Sequence, residues 1–170
     1  RKKWLPNLSL NPMGPTPPPA PSPPTPPPGP TVTYRYVEFI ATVLRGGQNA
    51  VQLAELEFFG ADGAQLTASN ETNPRGNNPP EQGPDKAADG SLITVWLDFN
   101  RQPLTIEVEK PAHYHWATAP DFPGRDPVQW ILWGSDDGVG WWCIDNRTGT
   151  DFPTPTARKI FSKMLPTNGH

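Results

Sequence analysis

The stretch V-Q-W-I-L-W-G-S-D-D-G-V-G-W-W-C-I-D, residues 128–145, decides how this chain folds. Apolar and aromatic residues fill both of its arms, and Ser135-Asp136-Asp137-Gly138 lies between them. Asp tolerates a left-handed turn conformation and Gly adopts it freely, so Asp-Gly between such arms is a strong hairpin signal. The reading is two strands joined by a tight acidic-glycine loop.

Working outward, short runs of the same kind recur. Tyr34–Leu44 is β-branched and aromatic, Gly46–Asn49 turns the chain, and Val51–Phe59 returns as a strand. In that strand Val51, Leu53 and Phe59 are expected on one face, with the glutamates opposite. Further strands are expected in Ala87–Asp98 and at Leu104–Glu109, Tyr114–Thr118 and Ala157–Phe161, about eight in all. Thr67–Asp85 is polar and rich in Asn, Pro and Gly, too long for a hairpin loop and of a length usually functional or ordered by a ligand. Helical periodicity persists nowhere for ten residues. The expected fold is all-β: an antiparallel β-sandwich of jelly-roll type over residues 31–165, with a tail at 166–170.

The start of the chain is different in kind. Of the 25 prolines in 170 residues, eleven fall between Pro15 and Pro30. Proline fixes φ and has no amide donor, so Gly14–Pro30 is expected as a polyproline II extension, a stiff rod of roughly 50 Å. Ser and Thr among the prolines suggest an O-glycosylated stalk. Ligation of a proline-recognition domain is the competing reading. Residues 1–13 form a basic and apolar lead whose Trp4, Leu5, Leu8 and Leu10 are awkward in water. A docking segment is one reading of it and a frayed terminus the other.

The totals exclude some classes. A net charge of −3 leaves no nucleic-acid footprint. No run of eighteen apolar residues offers a membrane span. A signal peptide is missing too, which a mature secreted chain would have lost. Cys143 is the single cysteine, expected as a small buried strand residue, with an intermolecular bridge as the alternative. Three N-glycosylation sequons, at Asn7, Asn70 and Asn146, are expected in a lead, a loop and a turn. With the Ser/Thr-Pro tract they point to a secreted protein of the extracellular space, cell wall or surface matrix.

Two resemblances sharpen this. D-P-V-Q-W-I-L-W-G-S-D-D-G-V-G-W at 126–141 resembles the W-x-L-x-G-S-x-D-G-x-x-W hallmark of galactose-binding-like domains, the discoidin or coagulation-factor type C group. A-A-D-G-S-L-I-T-V-W at 87–96 is similar to the family's A-x-D-G-x-x-x-T-x-W, and Y-R-Y-V-E-F at 34–39 with L-A-E-L-E at 53–57 to its closing strands. That pair comes first here, so the order looks circularly permuted. The resemblance implies calcium held by Glu55, Asp89 and Thr94 with backbone carbonyls, a donor set suited to a hard cation. It also implies a core position for Trp96, Trp130 and Trp141. Trp133 and Trp142 stand where the motif is usually polar; across the hairpin they would form a platform for glycan or a neighbouring subunit, unless a bulge separates them. His113, His115, Asp121, Arg125 and Asp126 would add polar contacts. The proline tract resembles the hydroxyproline-rich glycoproteins of green algal and plant cell walls. That likeness implies hydroxylation and sugars along Pro17, Pro18, Pro19, Pro21, Ser22, Pro23, Pro24, Thr25, Pro26, Pro27 and Pro28.

No pattern of catalysis stands out: there is no Gly-x-Ser-x-Gly, no phosphate loop and no base beside Cys143 in sequence. His113 and His115 share a strand face but lack a third metal ligand. The expectation is a non-enzymatic structural subunit of an extracellular fibre or matrix, its N-terminal segment docking head-to-tail on the next copy. The alternative is a calcium-dependent lectin displayed on its stalk. Adhesion to membrane lipid ranks last, because the candidate loops are polar.

Overall fold

The computed structural model describes residues 34–167. The lead and the proline tract lie outside the described residues, and with them Asn7, Trp4, Leu5, Leu8, Leu10 and every candidate hydroxylation position.

Ten strands follow in order: β1 Tyr36–Leu44, β2 Val51–Leu53, β3 Glu55–Phe59, β4 Ser69–Thr72, β5 Trp96–Asp98, β6 Leu104–Glu107, β7 His113–Ala117, β8 Pro127–Ser135, β9 Trp142–Arg147 and β10 Leu165–Pro166. Two short 3₁₀ turns, Pro84–Ala87 and Pro123–Arg125, interrupt them. The strands form antiparallel sheets of five (β4-β6-β1-β8-β9), three (β10-β7-β3) and two (β2-β5). The fold is all-β, in an arrangement compatible with a β-sandwich.

Alternation builds the core. On β1, Val37 and Phe39 point inward, as do Leu104 and Ile106 on β6 and Trp130 and Leu132 on β8. From the three-stranded sheet Leu56, Phe58, Tyr114 and Trp116 join the same buried cluster. Trp116 and Trp130 meet edge to face at 5.7 Å, a favoured aromatic geometry. Trp130 Nε1 donates to the Tyr114 hydroxyl (2.7 Å), which donates to Asp145 Oδ2 (2.6 Å). The neighbouring carboxylate and burial together raise the phenol's pKa, burial most.

Several sequence expectations need correction. Val51–Phe59 is not one strand: the chain breaks at Ala54, whose amide bonds Ala117 O, so β2 pairs with β5 while β3 pairs with β7. The core face accordingly passes from Val51 and Leu53 to Leu56 and Phe58, so Phe59 lies with the glutamates on β3's other face, not with Val51 and Leu53, and Glu55 is buried there. The hairpin loop is wider than a tight turn, running 136–141, with Asp137 Oδ1 accepting from the amides of Val139 and Gly140. Ala157–Phe161 forms no strand, only a bridge from Phe161 to Ala117. The head also passes residue 165, since Thr167 Oγ1 donates to Pro111 O.

Candidate functional site

Two places gather polar chemistry. In the first, β3 begins with Glu55 directly after the break at Ala54; Leu56 and Phe58 take the core face, and Glu55 lies on the strand's other face, buried under the loop before β5. The loop before β5 brings Asp89 against it. The Ser91 amide lies 2.9 Å from Glu55 Oε1 and 3.0 Å from Asp89 Oδ1, and Thr94 Oγ1 donates to the same Asp89 oxygen at 2.9 Å. Glu55, Asp89 and Thr94, far apart in sequence, therefore converge. Burial raises the Glu55 pKa to about 7; the Ser91 amide opposes this and the Asp89 carboxylate adds to it. An open cavity of about 400 Å³ adjoins them, lined also by Glu57, Phe58 and Leu66.

Oxygen-only donors of this kind suit a hard divalent cation, and the close carboxylates would be relieved by one. Lys86 reaches Asp89 Oδ2 only at 4.0 Å. No group of three or more His, Cys, Asp or Glu converges among the described residues. Any ion here would therefore rest on two carboxylates, the Thr94 hydroxyl and carbonyls such as Ser91 O, to which Thr94 also donates.

The second place is the loop between β7 and β8, next to the turns after β1 and β5. Phe122 has φ 39°, a left-handed conformation uncommon for a bulky residue. Its ring is exposed. Arg125 lies over it, guanidinium carbon 4.3 Å from the ring centre, and 6.0 Å from the centre of exposed Phe99. These are cation–π distances.

Three buried side chains hold this loop end. Gln52 Nε2 donates to Asp121 O (2.6 Å) and Phe122 O (3.2 Å). Asp126, with none of its surface exposed, takes Arg158 through both guanidinium nitrogens (Nη1 to Oδ1, 2.9 Å) and Arg45 at 3.3 Å. Asp98 accepts from the amides of Asn77, Asn100 and Gln102 and from Asn73 Nδ2, fixing the residues around Phe99. Gly46 closes the packing: its amide donates to Gly124 O at 2.9 Å, and a Cβ there would sit 2.7 Å from Gly124 Cα. Beside it is a hollow of about 170 Å³ lined by Gln48, Phe122, Pro123, Gly124 and Arg125.

The platform expected at the hairpin is not built. A register shift after Leu132 places Trp133 opposite Cys143 and Trp142 opposite Gly134, so the two indoles lie on different faces. Trp142 is half exposed and leans over Gly140. Cys143 is partly exposed beside Trp133, not buried. Asp126 is consumed by its two arginines. His113 and His115 belong to β7, in another sheet; the His115 ring stacks on Phe161 at 4.1 Å and its Nε2 lies 2.8 Å from Glu57. Arg125 alone of those polar candidates joins an exposed aromatic surface. Within the long polar segment, Asn73 and Asn77 are held by Asp98, a group of the protein itself.

Asn70 and Asn146 are both exposed, yet they sit in strands, β4 and β9, rather than in a loop and a turn. Phe99, Phe122, Gln52 and Asp98 were not found from sequence. Their signal is weak, since a positive φ and a buried amide depend on partners many tens of residues away.

No family model matches the chain, and no solved structure matches it. Among curated proteins, a peptide-N(4)-(N-acetyl-beta-glucosaminyl)asparagine amidase of Arabidopsis thaliana is 41% identical over 54 residues. That likeness covers 31% of this chain and spans 8% of the amidase's length. Among the described residues no helix is long and apolar enough to cross a membrane.

Proposed function

We propose that this is a secreted, non-enzymatic glycoprotein whose head is a galactose-binding-like domain that binds carbohydrate at its β7–β8 loop end. One observation carries the reading: the Arg125 guanidinium lies 4.3 Å and 6.0 Å from the centres of two exposed phenyl rings, on a loop with a left-handed Phe122 that buried Gln52 and Asp126 hold in place. Backbone strain of this sort persists only where surrounding structure over-determines it, and it concentrates at ligand clamps. A ring gives the C–H face of a sugar a surface to stack on, and a guanidinium offers a fork of donors to hydroxyl or carboxylate oxygens. The likeness to a protein named for acting at a glycosylated asparagine supports a glycan setting.

The same reading gives calcium to Glu55, Asp89 and Thr94. Bound there, the ion would neutralise the paired carboxylates and tie the loop before β5 to β3. Catalysis is not proposed: Cys143 faces Trp133 on β9's sheet, whereas His113 and His115 lie on β7. The Pro-rich tract, as a glycosylated polyproline II stalk, would display the head.

A glycan array probed with the full chain tests this. Binding that Phe122→Ala and Arg125→Ala each reduce at least about tenfold, the loss of one good contact, is the expected result. No glycan bound, or variants binding as well as wild type, contradicts it.

The Pro-rich tract and apolar lead favour a second reading, a fibre or matrix subunit assembling through its N-terminal segment. Deleting residues 1–13 should then abolish assembly with the head still folded; unchanged fibres would rule that out.

A further inference from the structure

Most guanidinium groups of this head are spent on the protein itself. Arg35 meets Glu107, Arg147 meets Asp145, and Arg45 and Arg158 share Asp126. Arg101 donates to Thr42 O at 2.9 Å, and Arg75 is exposed to water. Arg125 differs. It is half-buried, and its guanidinium has no hydrogen-bond acceptor and no carboxylate in ion-pair reach among the described residues. What it meets are the Phe122 and Phe99 rings.

The carboxylates of the adjoining segments are committed elsewhere. Asp126, next in the chain, is fully buried under Arg45 and Arg158. Asp98, next to Phe99, accepts from the amides of Asn77, Asn100 and Gln102. Asp121 Oδ1 is turned to Gln52 Nε2 at 3.3 Å, and Arg158 Nη1 reaches the Asp121 carbonyl. The Arg125 backbone is fixed as well, its amide donating to Phe122 O at 3.0 Å. The result is an anchored positive charge, half-buried against two rings, for which its own chain supplies no counter-charge. Gln48 lines the hollow beside it, exposed, with a side-chain amide that has no partner among the described residues.

We propose that this loop end selects sugars that carry a carboxylate, the uronic acids, a ligand class that rests on the carbohydrate reading above. A carboxylate takes two parallel bonds from a guanidinium fork, which a hydroxyl does not. In a setting partly shielded from water, a cation also gains more from an anion than from a neutral group. A tetrahedral sulfate ester shares the charge but not the planar two-oxygen match. The exposed Phe122 and Phe99 rings offer the C–H face of the sugar a surface, and the Gln48 amide, donor and acceptor at once, suits its hydroxyls.

Isothermal titration of the full chain tests this with short oligosaccharides of glucuronic, galacturonic and mannuronic acid. Each acid is run beside its methyl ester, the same sugar without the charge, and beside a sulfated neutral oligosaccharide. At least one acid should bind about tenfold or more tightly than its ester, and added salt should weaken the acid alone. Arg125→Gln, with an unchanged unfolding temperature, should bring acid and ester to equal affinity. An acid bound no better than its ester in the wild-type chain overturns the proposal, and so does a preference that survives Arg125→Gln. A sulfated sugar bound as tightly as the acid overturns the carboxylate assignment. Uronides left unbound while the array finds a neutral glycan that needs Phe122 overturn the ligand class and leave the carbohydrate reading standing. Silence of array and uronides together overturns that reading, and the proposal with it.

Discussion

Glu55 shows what a single backbone break does to a side chain. Unbroken alternation through Val51–Phe59 would place it on the core face with Val51 and Leu53, whereas the interruption at Ala54 gives that face to Leu56 and Phe58 and leaves Glu55 on the other side of β3, buried beside Asp89 by the loop before β5. Its pKa in the fold, about 7, lies above the ordinary carboxylate value of 4.5, chiefly through burial. The folded state then holds a proton that the unfolded chain has already released. Stability falls as pH rises from about 4.5 to about 7, by up to about 3 kcal/mol for the full shift. Glu55→Gln should therefore stabilise the protein at pH 8 and change little at pH 4, measured as urea unfolding midpoints. Millimolar calcium should raise the wild-type midpoint more at pH 8 than at pH 5, and should not raise that of Glu55→Gln. A wild type as stable at pH 8 as at pH 4 in the absence of calcium would contradict the burial argument, and an equal calcium effect on both proteins would contradict the site. Glu55, Asp89 and Thr94 are grouped in the sequence only by a motif resemblance between two separated segments; the fold brings Glu55 and Asp89 to one amide and Thr94 to Asp89. Phe122 is not legible there, because nothing in D-F-P-G-R announces that Gln52 will hold the Phe122 carbonyl from 70 positions away.

At the scale of elements, apolar-aromatic patterning located most strands, and hydrogen bonding decided their limits. β1 and the two arms of the hairpin fall where the sequence places them, because alternation and a Gly-containing turn are local. The width of the hairpin loop is a different matter. It depends on Ser135 Oγ and Asp137 Oδ1 capturing the amides of Gly138, Val139 and Gly140, a side-chain contribution that a turn motif alone does not specify. The extra residue in β9 likewise separates Trp133 from Trp142, and with it goes the indole platform. Gly134 is a sharp test of the hairpin's seating. A Cβ there would meet the Tyr34 ring at 2.6 Å, where the ring packs over the strand. Gly134→Ala should cost about 1–3 kcal/mol, the range for forced overpacking, read from thermal unfolding. No loss would mean that Tyr34 does not pack against β8.

For the whole molecule, the sheets act as a frame and the chemistry sits at its margins. The buried charge of Asp126 holds two arginines, and such a group is weak as a source of stability but strong as a positional constraint. Here it fixes the end of the loop that carries Phe122 and Arg125. An all-β class could be read from many short strands and turn signals, whereas the meeting of the loops after β1, β5 and β7 could not, since it depends on how the sheets close. Carbohydrate binding at this loop end, as proposed, is open to a direct test by chemical-shift mapping. With the best glycan from the array added to the isotope-labelled full chain, the account predicts shifts concentrated at residues 46–48, 99–101 and 121–126, lost in Arg125→Ala. Shifts centred on Trp133 and His115 instead, or none at saturating glycan, would contradict it.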